Sequence, residues 1–306
     1  EYVDKKGPTV GDAHVTEELD PFDGEVIKYL EKNGLSMEEI PRKGRALVAK
    51  RDFKAGECVL RQAPLAFSLS SSDESIKNKC GSCLSASKSP KRCSKCKVVH
   101  YCCAEHQKND WRKHSAECSM MEKCQSRGIF PTATVITLGR IYNARAKESS
   151  TSEVNPGMRF QDLMALSSLQ HLHAQENLIR FSQVARAFGD YYGGATDMRE
   201  VLGLLCRLAV NSHTITDSDM RSVGAGIYPL AALANHDCDP NCAQTFRGDV
   251  ISFRAVRDIG AGEEITIGYV DLAGPAEQRR AALRQRYLFD CACRKCTSPE
   301  AQALDA

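Results

Sequence analysis

Cysteine and histidine carry the most informative spacing in this chain. Residues 80–118 hold Cys80, Cys83, Cys93, Cys96, Cys102, His106, His114 and Cys118, in the order C-x2-C-x9-C-x2-C-x5-C-x3-H-x7-H-x3-C. Thiolate and imidazole are zinc ligands, and these eight, taken in pairs, suffice for two closed tetrahedral shells of the structural kind. Histidines interleaved at this spacing argue against a disulfide framework. A segment with so little apolar content needs metal staples to fold. The i, i+4 pairs Cys102/His106 and His114/Cys118 each suit one face of a short helix. Cys103 stands beside Cys102 and competes with it as a ligand.

A second group, Cys291-x-Cys293-x2-Cys296, supplies three ligands of a tetrahedral shell, so a fourth must come from elsewhere. Cys238 and Cys242 are the candidates. Both lie in Asn235-His-Asp-Cys-Asp-Pro-Asn-Cys242, a stretch dense in groups that coordinate, hydrogen-bond or ionise. It follows the apolar run 227–233, so a buried element delivers it. Locally it also reads as an Asx-rich turn closed by Pro240.

Fifteen cysteines grouped for metal point to a reducing compartment, cytosol or nucleus. The 306 residues suffice for one large or two modest domains. Apolar content of 42% and charged content of 26% are ordinary for a globular protein. No apolar run approaches the roughly 18 residues of a membrane helix. The first residue is Glu1, which leaves a removed targeting segment unjudged. The formal charge of +2 shifts if ten cysteines bind three Zn²⁺ as thiolates: −10 and +6 turn +2 into about −2. A nearly neutral protein does not have the charge of a general nucleic-acid binder.

The elements that must position these groups read as strands, then helices, then strands. Residues 1–40 are polar and read as a peripheral extension with one helix, capped by Asp23, striped by Val26, Ile27 and Leu30, and ended at Asn33-Gly34. Residues 44–70 read as short strands bounded by Gly or Pro. Residues 132–146, 158–171, 174–188 and 198–210 carry apolar side chains at helical spacing. Between them, 148–157 reads as a mobile loop, and Gly189 to Gly194 as a break. Strand character returns over 227–271, and 275–288 reads as a basic amphipathic helix. The segment starting at Ala49 has an echo starting at Ala255, matching at Ala, Arg, Asp, Ala, Gly and Glu. Each copy reads as strand, glycine turn, strand, which suggests two similar hairpins in one β domain.

In this order and spacing the motifs resemble a known family. Asn235-His-x-Cys-x-Pro-Asn, Gly262-Glu-Glu-Ile-Thr-Ile-Gly-Tyr269 and Cys291-x-Cys-x-x-Cys look like a SET domain with its post-SET zinc motif. The block 80–118 resembles a MYND zinc finger. Together they are similar to the SET-and-MYND lysine methyltransferases, over about residues 41–297. That resemblance implies an α+β fold. Its core is a knot-like SET domain of several short sheets, carrying an inserted MYND finger, a helical insert and a post-SET zinc motif. The implied divisions are 1–40 N-terminal extension, 41–79 first SET part, 80–118 finger, 119–210 helical insert, 211–272 catalytic core, 273–297 post-SET and 298–306 tail. Family members usually continue into a helical-repeat domain, so this chain is expected to be a piece or a short branch.

The resemblance also implies roles. Cys80, Cys83, Cys102 and His106 hold one zinc, with His106 standing where most members have Cys. Cys93, Cys96, His114 and Cys118 hold the second, and Cys238 completes the third with Cys291, Cys293 and Cys296. Cys242 is then a free thiol. S-adenosylmethionine, or S-adenosylhomocysteine as bound product, is met by the loop Lys43, Gly44, Arg45 and Ala46, where Ala46 replaces a second glycine. Asn211, Ser212 and His213, with His213 replacing an aromatic residue, flank it, and Asn235 and His236 bind it. Tyr269 and Tyr287 form the lysine channel, Tyr269 also facing the cofactor, and Phe289 stacks on adenine. A tyrosine hydroxyl, with its pKa near 10, serves better as an orienter than as a base. The implied activity is protein-lysine N-methylation on histone or other proteins. A weakly catalytic scaffold that recruits proline-rich peptides through the finger is the alternative. The finger has eight Lys/Arg against three Asp/Glu, which reads as a solvated face more than a DNA-binding one. A monomer in nucleus or cytoplasm is expected.

Overall fold

The computed structural model describes residues 21–70, 78–128, 131–148, 155–193 and 196–298. The Asp23 carboxylate accepts from the backbone N–H of Glu25 and Val26, 3.1 Å each, and so starts α1 (Gly24–Lys32). Val26 and Leu30 are buried, Ile27 is half-buried, and the chain turns out at Asn33 and Gly34, the latter at φ 75°. Cap, stripe and stop are those the sequence indicates. The position differs, because this segment is not peripheral. Phe22, Val26, Leu30 and Leu35 lie in the main core, and β1 (Leu35–Ile40) pairs antiparallel with β2 (Gly44–Ala49). A few apolar residues at helical spacing bury one face however polar the segment's average is.

The chain continues through β3 (Cys58–Gln62) and β4 (Ala66–Leu69). Next come the small hairpin β5 (Lys91–Arg92) and β6 (His100–Tyr101), and α2 (Ala104–Ser126). The helical region contains α3 (Ala133–Glu148), α4 (Phe160–Met164), α5 (Gln175–Tyr192) and α6 (Met198–Asn211). It is followed by β7 (Ser212–Thr216), β8 (Ser222–Ile227), β9 (Asn235–His236), β10 (Cys242–Arg247), β11 (Val250–Ala255) and β12 (Thr266–Ile267). The final elements are α7 (Ala276–Tyr287) and α8 (Arg294–Thr297). The strands make short sheets, ordered β1-β2, β10-β11-β3, β4-β8-β7, β5-β6 and the parallel pair β12-β9. One apolar core runs from Phe22 to Ile267 and joins strands to helices. The finger and the C-terminal motif have small clusters of their own, built largely from cysteines.

Three elements depart from expectation. The finger's paired ligands do not sit on two short helices: Cys102 precedes α2, and one 23-residue helix carries His106, His114 and Cys118. Residues 158–171 are not one helix. It stops after α4 because Arg207 takes the carbonyls of Met164 and Leu166, Arg45 takes that of Ala165, and Asn211 that of Ser167. Leu169 then sits at φ 46°. Carbonyls bonded by distant side chains no longer need the next helical turn. Finally, α5 runs through Gly189 and ends at Gly193, at φ 70°. Part of the expected mobile loop, residues 149–154, lies outside the described residues.

The internal echo takes a form that the sequence does not reveal. Neither copy is a hairpin by itself; the two pair with each other. Phe53 and Ile259 exchange both backbone hydrogen bonds at 2.9 Å. Ala49 N–H donates to Glu263 O, and Ala255 N–H to Glu57 O. The Asp52 carboxylate accepts from Ala261 N–H at 3.0 Å, and Asp258 from Ala55 N–H at 2.9 Å. Each bond has its counterpart in the other copy, which is a local pseudo-two-fold. It draws the first strands and the last strands of the β domain together across the whole insert.

Candidate active site and metal centres

Three sets of four donor atoms each lie within 4.8 Å of one another: Cys80, Cys83, Cys102, His106; Cys93, Cys96, His114, Cys118; and Cys238, Cys291, Cys293, Cys296. Zinc–sulfur bonds of about 2.3 Å place the sulfurs of a tetrahedron about 3.7 Å apart. The Cys93–Cys118 sulfurs are 3.7 Å apart, Cys83–Cys102 3.8 Å and Cys238–Cys291 4.0 Å. Donor chemistry and spacing therefore fit zinc in each set. The grouping is the one that the resemblance implies, with the finger's sites interleaved. Cys103 stays out: it caps α2, its sulfur accepting from His106 N–H, while Cys102 Sγ lies 2.9 Å from His106 Nδ1. Cys242 is buried among apolar residues, and burial pushes its thiol up to about 12.

The Asn235–Cys242 stretch combines turn and site. Asp237 accepts from Asp239 N–H at 2.8 Å, the expected Asx turn. β9 lies parallel to β12, Asn235 opposite Thr266 and His236 opposite Ile267. Buried Asn241 locks the two segments: its Nδ2 donates to Glu264 O at 2.7 Å, and its Oδ1 accepts from Thr266 N–H at 2.8 Å. The register delivers His236 beneath Tyr269, whose backbone N–H donates to His236 Nδ1 at 3.1 Å. The other ring nitrogen then carries the proton and faces Cys238 Sγ at 3.2 Å. Burial holds the imidazole down to about 4, in keeping with that neutral tautomer. One side chain thus ties the third donor set to Tyr269.

Tyr269 and Tyr287 have ring centroids 4.7 Å apart. The Tyr269 hydroxyl donates to Ala234 O at 2.7 Å, and that of Tyr287 to Tyr269 O at 3.4 Å. Burial raises both phenols, so both stay protonated. With Asn211, Ser212, His213 and Gln244 they line a small open cleft. Asn211 keeps its amide busy with Arg207 O and Ser167 O. Phe289 is 37% exposed and lies beside His236 and Tyr269, centroids 6.2 and 6.4 Å away. Gly44, the first residue of β2, has positive φ, 73°, as does Arg42 in the turn before it, 66°. Ala46 is a buried, paired strand residue, so the departure from a second glycine strains nothing. The Arg45 side chain reaches Ala165 O and stacks near Phe22, leaving its backbone O for Asn235 Nδ2 at 3.3 Å.

His213 is both core and cleft. Its ring packs edge-on against Tyr228, 5.8 Å between centroids, and its Nδ1 meets Gln244 Oε1 at 3.1 Å. Burial lowers its pKa from 6.5 to about 4, against a smaller opposing effect of Gln244. With the folded value below the unfolded one, only the unfolded chain gains this proton between those limits. Stability from His213 is whole above about pH 6.5 and is lost as pH falls towards 4. His213→Phe is expected to flatten that part of the acid limb. Denaturant midpoints at pH 7 and pH 5 for both proteins test this, and parallel losses would refute it.

Several residues at these sites escaped the sequence reading. Glu117 had a usable signal, sitting three residues after His114 on the same helix face. Arg279 had one too, at i−4 from the buried Leu283. Glu264 lay inside the recognised motif but without an assigned role. For Gln244 and Arg140 no sequence signal exists, since only the fold brings them to their partners.

The sheets, the Asn-His strand beside a tyrosine and the adjoining cysteine set define a SET domain. The SET domain family matches residues 44–270, and the chain belongs to that family. Among curated relatives, it is 33% identical over 265 residues to Histone-lysine N-methyltransferase SMYD3 of Mus musculus, covering 85% of this chain and 61% of the relative. It is 33% identical over 268 residues to N-lysine methyltransferase SMYD2 of Homo sapiens, covering 85% and 59%. With Histone-lysine N-methyltransferase ASHR1 of Arabidopsis thaliana the identity is 29% over 274 residues, covering 89% and 56%. These relatives bear out the resemblance to SMYD-type proteins. The chain spans about three fifths of their length.

Proposed function

We propose that the protein is an S-adenosylmethionine-dependent protein-lysine N-methyltransferase. The observation that carries this reading is the cleft walled by the Tyr269–Tyr287 pair, placed by His236 directly against the Asn235 strand and the third metal set. The residues present suit the cofactor. Phe289 offers an exposed ring for a base, Lys43 a cation for a carboxylate, and Asn235 an amide for an ammonium. S-adenosylmethionine, when bound, supplies an electrophilic methyl group. Lys43, Gly44, Arg45 and Ala46 form one side of its site, Asn211, Ser212 and His213 another, and Asn235, His236 and Phe289 the rest.

Methyl transfer to an amine is an in-line displacement, so the protein's task is positioning. Both tyrosine hydroxyl protons are committed to backbone carbonyls, which leaves oxygen lone pairs facing the cleft as acceptors. Acceptors of that kind hold an amine by its N–H groups and steer its lone pair. The partly buried rings of Tyr269 and Tyr287 and the buried ring of His213, with no acidic side chain among the cleft's lining residues, disfavour the ammonium form and so favour the reactive free amine. The three zinc sets are structural: each is closed by four protein ligands.

Tyr269→Phe is expected to lower kcat for methyl transfer to protein lysine about 100-fold, with folding and cofactor affinity retained. Unchanged turnover would remove Tyr269 from the mechanism. Absence of transfer by the unmodified protein, despite cofactor binding, would favour the scaffold reading. For partners we favour a protein lysine substrate, a proline-rich peptide at the finger and no DNA, acting as a monomer. The free thiols and thiolate sites suit the reducing nucleus or cytoplasm.

A further inference from the structure

Glu264 occupies a place that the reading above leaves unassigned. Its backbone is fixed on both sides, bridged to Val48 and bonded through its carbonyl to Asn241. Its carboxylate is divided between two partners. Oε2 pairs with Lys43 Nζ, on the loop before β2, and Oε1 accepts from Asn235 Nδ2 at 3.0 Å. The side chain is 16% exposed, that of Lys43 39%. A single carboxylate therefore bridges the two segments, 190 residues apart in sequence, that meet at the site.

The consequence for Asn235 is directional. Both partners of its amide nitrogen, Glu264 Oε1 and Arg45 O, are pure acceptors. The nitrogen must face them, so Oδ1 faces the other way and accepts nothing from the described residues. An amide otherwise free to flip is held with its oxygen presented outward. Lys43 is at the same time kept beside it as a cation. The result is an acceptor and a cation side by side, complementary to an ammonium and a carboxylate on one carbon.

We infer that Glu264 is a positioning residue for the amino-acid end of the cofactor, acting through Asn235 and Lys43 without touching the reacting atoms. This rests on the methyltransferase reading and deepens it. Glu264 carries out the task with two acceptor oxygens. A glutamine in its place has one, and turns an N–H₂ towards either the lysine ammonium or the asparagine amide, both donors. The isosteric change therefore releases one partner without opening a cavity.

The test is calorimetric titration with two probes. S-adenosylhomocysteine carries the amino-acid end; 5′-methylthioadenosine has the same nucleoside and lacks it. Glu264→Gln is expected to weaken S-adenosylhomocysteine binding about tenfold, the scale of a lost charge-assisted bond, and to leave 5′-methylthioadenosine binding as it was. Lys43→Met, at the exposed end of the network, is expected to show the same split. Equal weakening of both probes would mean general loss of structure and would overturn the inference, as would no change in either. If the unmodified protein binds neither probe, the methyltransferase reading itself falls.

Discussion

Arg140→Ala is expected to destabilise the protein by about 3 kcal/mol, the low end for leaving a buried charge without its partner. The Arg140 guanidinium grips Glu117 side-on through one edge, Nε to Oε2 at 2.9 Å and Nη2 to Oε1 at 2.6 Å, and its Nη1 donates to Phe67 O at 2.7 Å. Glu117 is 5% exposed. Burial alone would raise its pKa, but the charge and hydrogen bonds of Arg140 outweigh this and hold it at about 2. The same carboxylate faces His114 Nδ1 at 3.5 Å, and His114 Nε2 belongs to the second donor set. One chain of contacts thus runs from the finger's metal site through α2 and α3 to β4. Deleting Arg140 strands an almost fully buried carboxylate and loosens the ligand it orients. Denaturant unfolding with zinc held in excess measures the first effect; a loss below about 1 kcal/mol would show the pair to be no stronger than a surface ion pair. Glu117→Gln with Arg140→Met together should recover part of the loss, because neither charge is then left alone.

The second large effect concerns Arg279. It is 2% exposed, a fully buried cation on α7. Its guanidinium donates to the carbonyls of Gly274 and Lys295, and Nη2 lies 3.8 Å from Cys296 Sγ. Four thiolates around a divalent zinc leave a net double negative charge. A buried anion of that size requires a counter-charge, and Arg279 is the cation in contact with its sulfur. His236 adds a second donor at Cys238. Replacing a buried ion pair by apolar groups can be neutral, but here the anionic partner would remain. Arg279→Met, close in volume, is therefore expected to weaken the third zinc site by about 10- to 100-fold, the usual cost of losing an outer partner. The two finger zincs should be unaffected. Competition with a chromophoric chelator, counting zinc released per chain, reads this directly. Three zincs of unchanged affinity would show that the thiolates need no such neighbour.

These predictions fall on residues that carry no motif, and that marks the limit of what the sequence discloses. The twelve metal donors were legible because zinc imposes residue type and short spacing together, which leaves a repeated pattern along the chain. Asn235, His236, Tyr269 and the C-terminal cysteines were legible because their order and spacing match a known motif. The cap, stripe and stop of α1 follow from local rules alone, since Asp23 and Gly34 act within a few residues of themselves. What failed was non-local. The segment 158–171 has helical spacing, yet its carbonyls are bonded by Arg45, Arg207 and Asn211 from elsewhere. The polar N-terminal segment looks peripheral until β1 is paired with β2.

By itself, then, the sequence determined the metal-donor pattern and the family, because each is written in side-chain type at fixed spacing. Tertiary structure alone decided how the copies in the echo embrace and which charged groups are buried. Those outcomes depend on pairings between residues distant in the chain, from Arg140 with Glu117, 23 positions apart, to Glu264 with Lys43 and Asp52 with Ala261, more than 200 apart. No local preference encodes such a pairing; the packing of the core around it does.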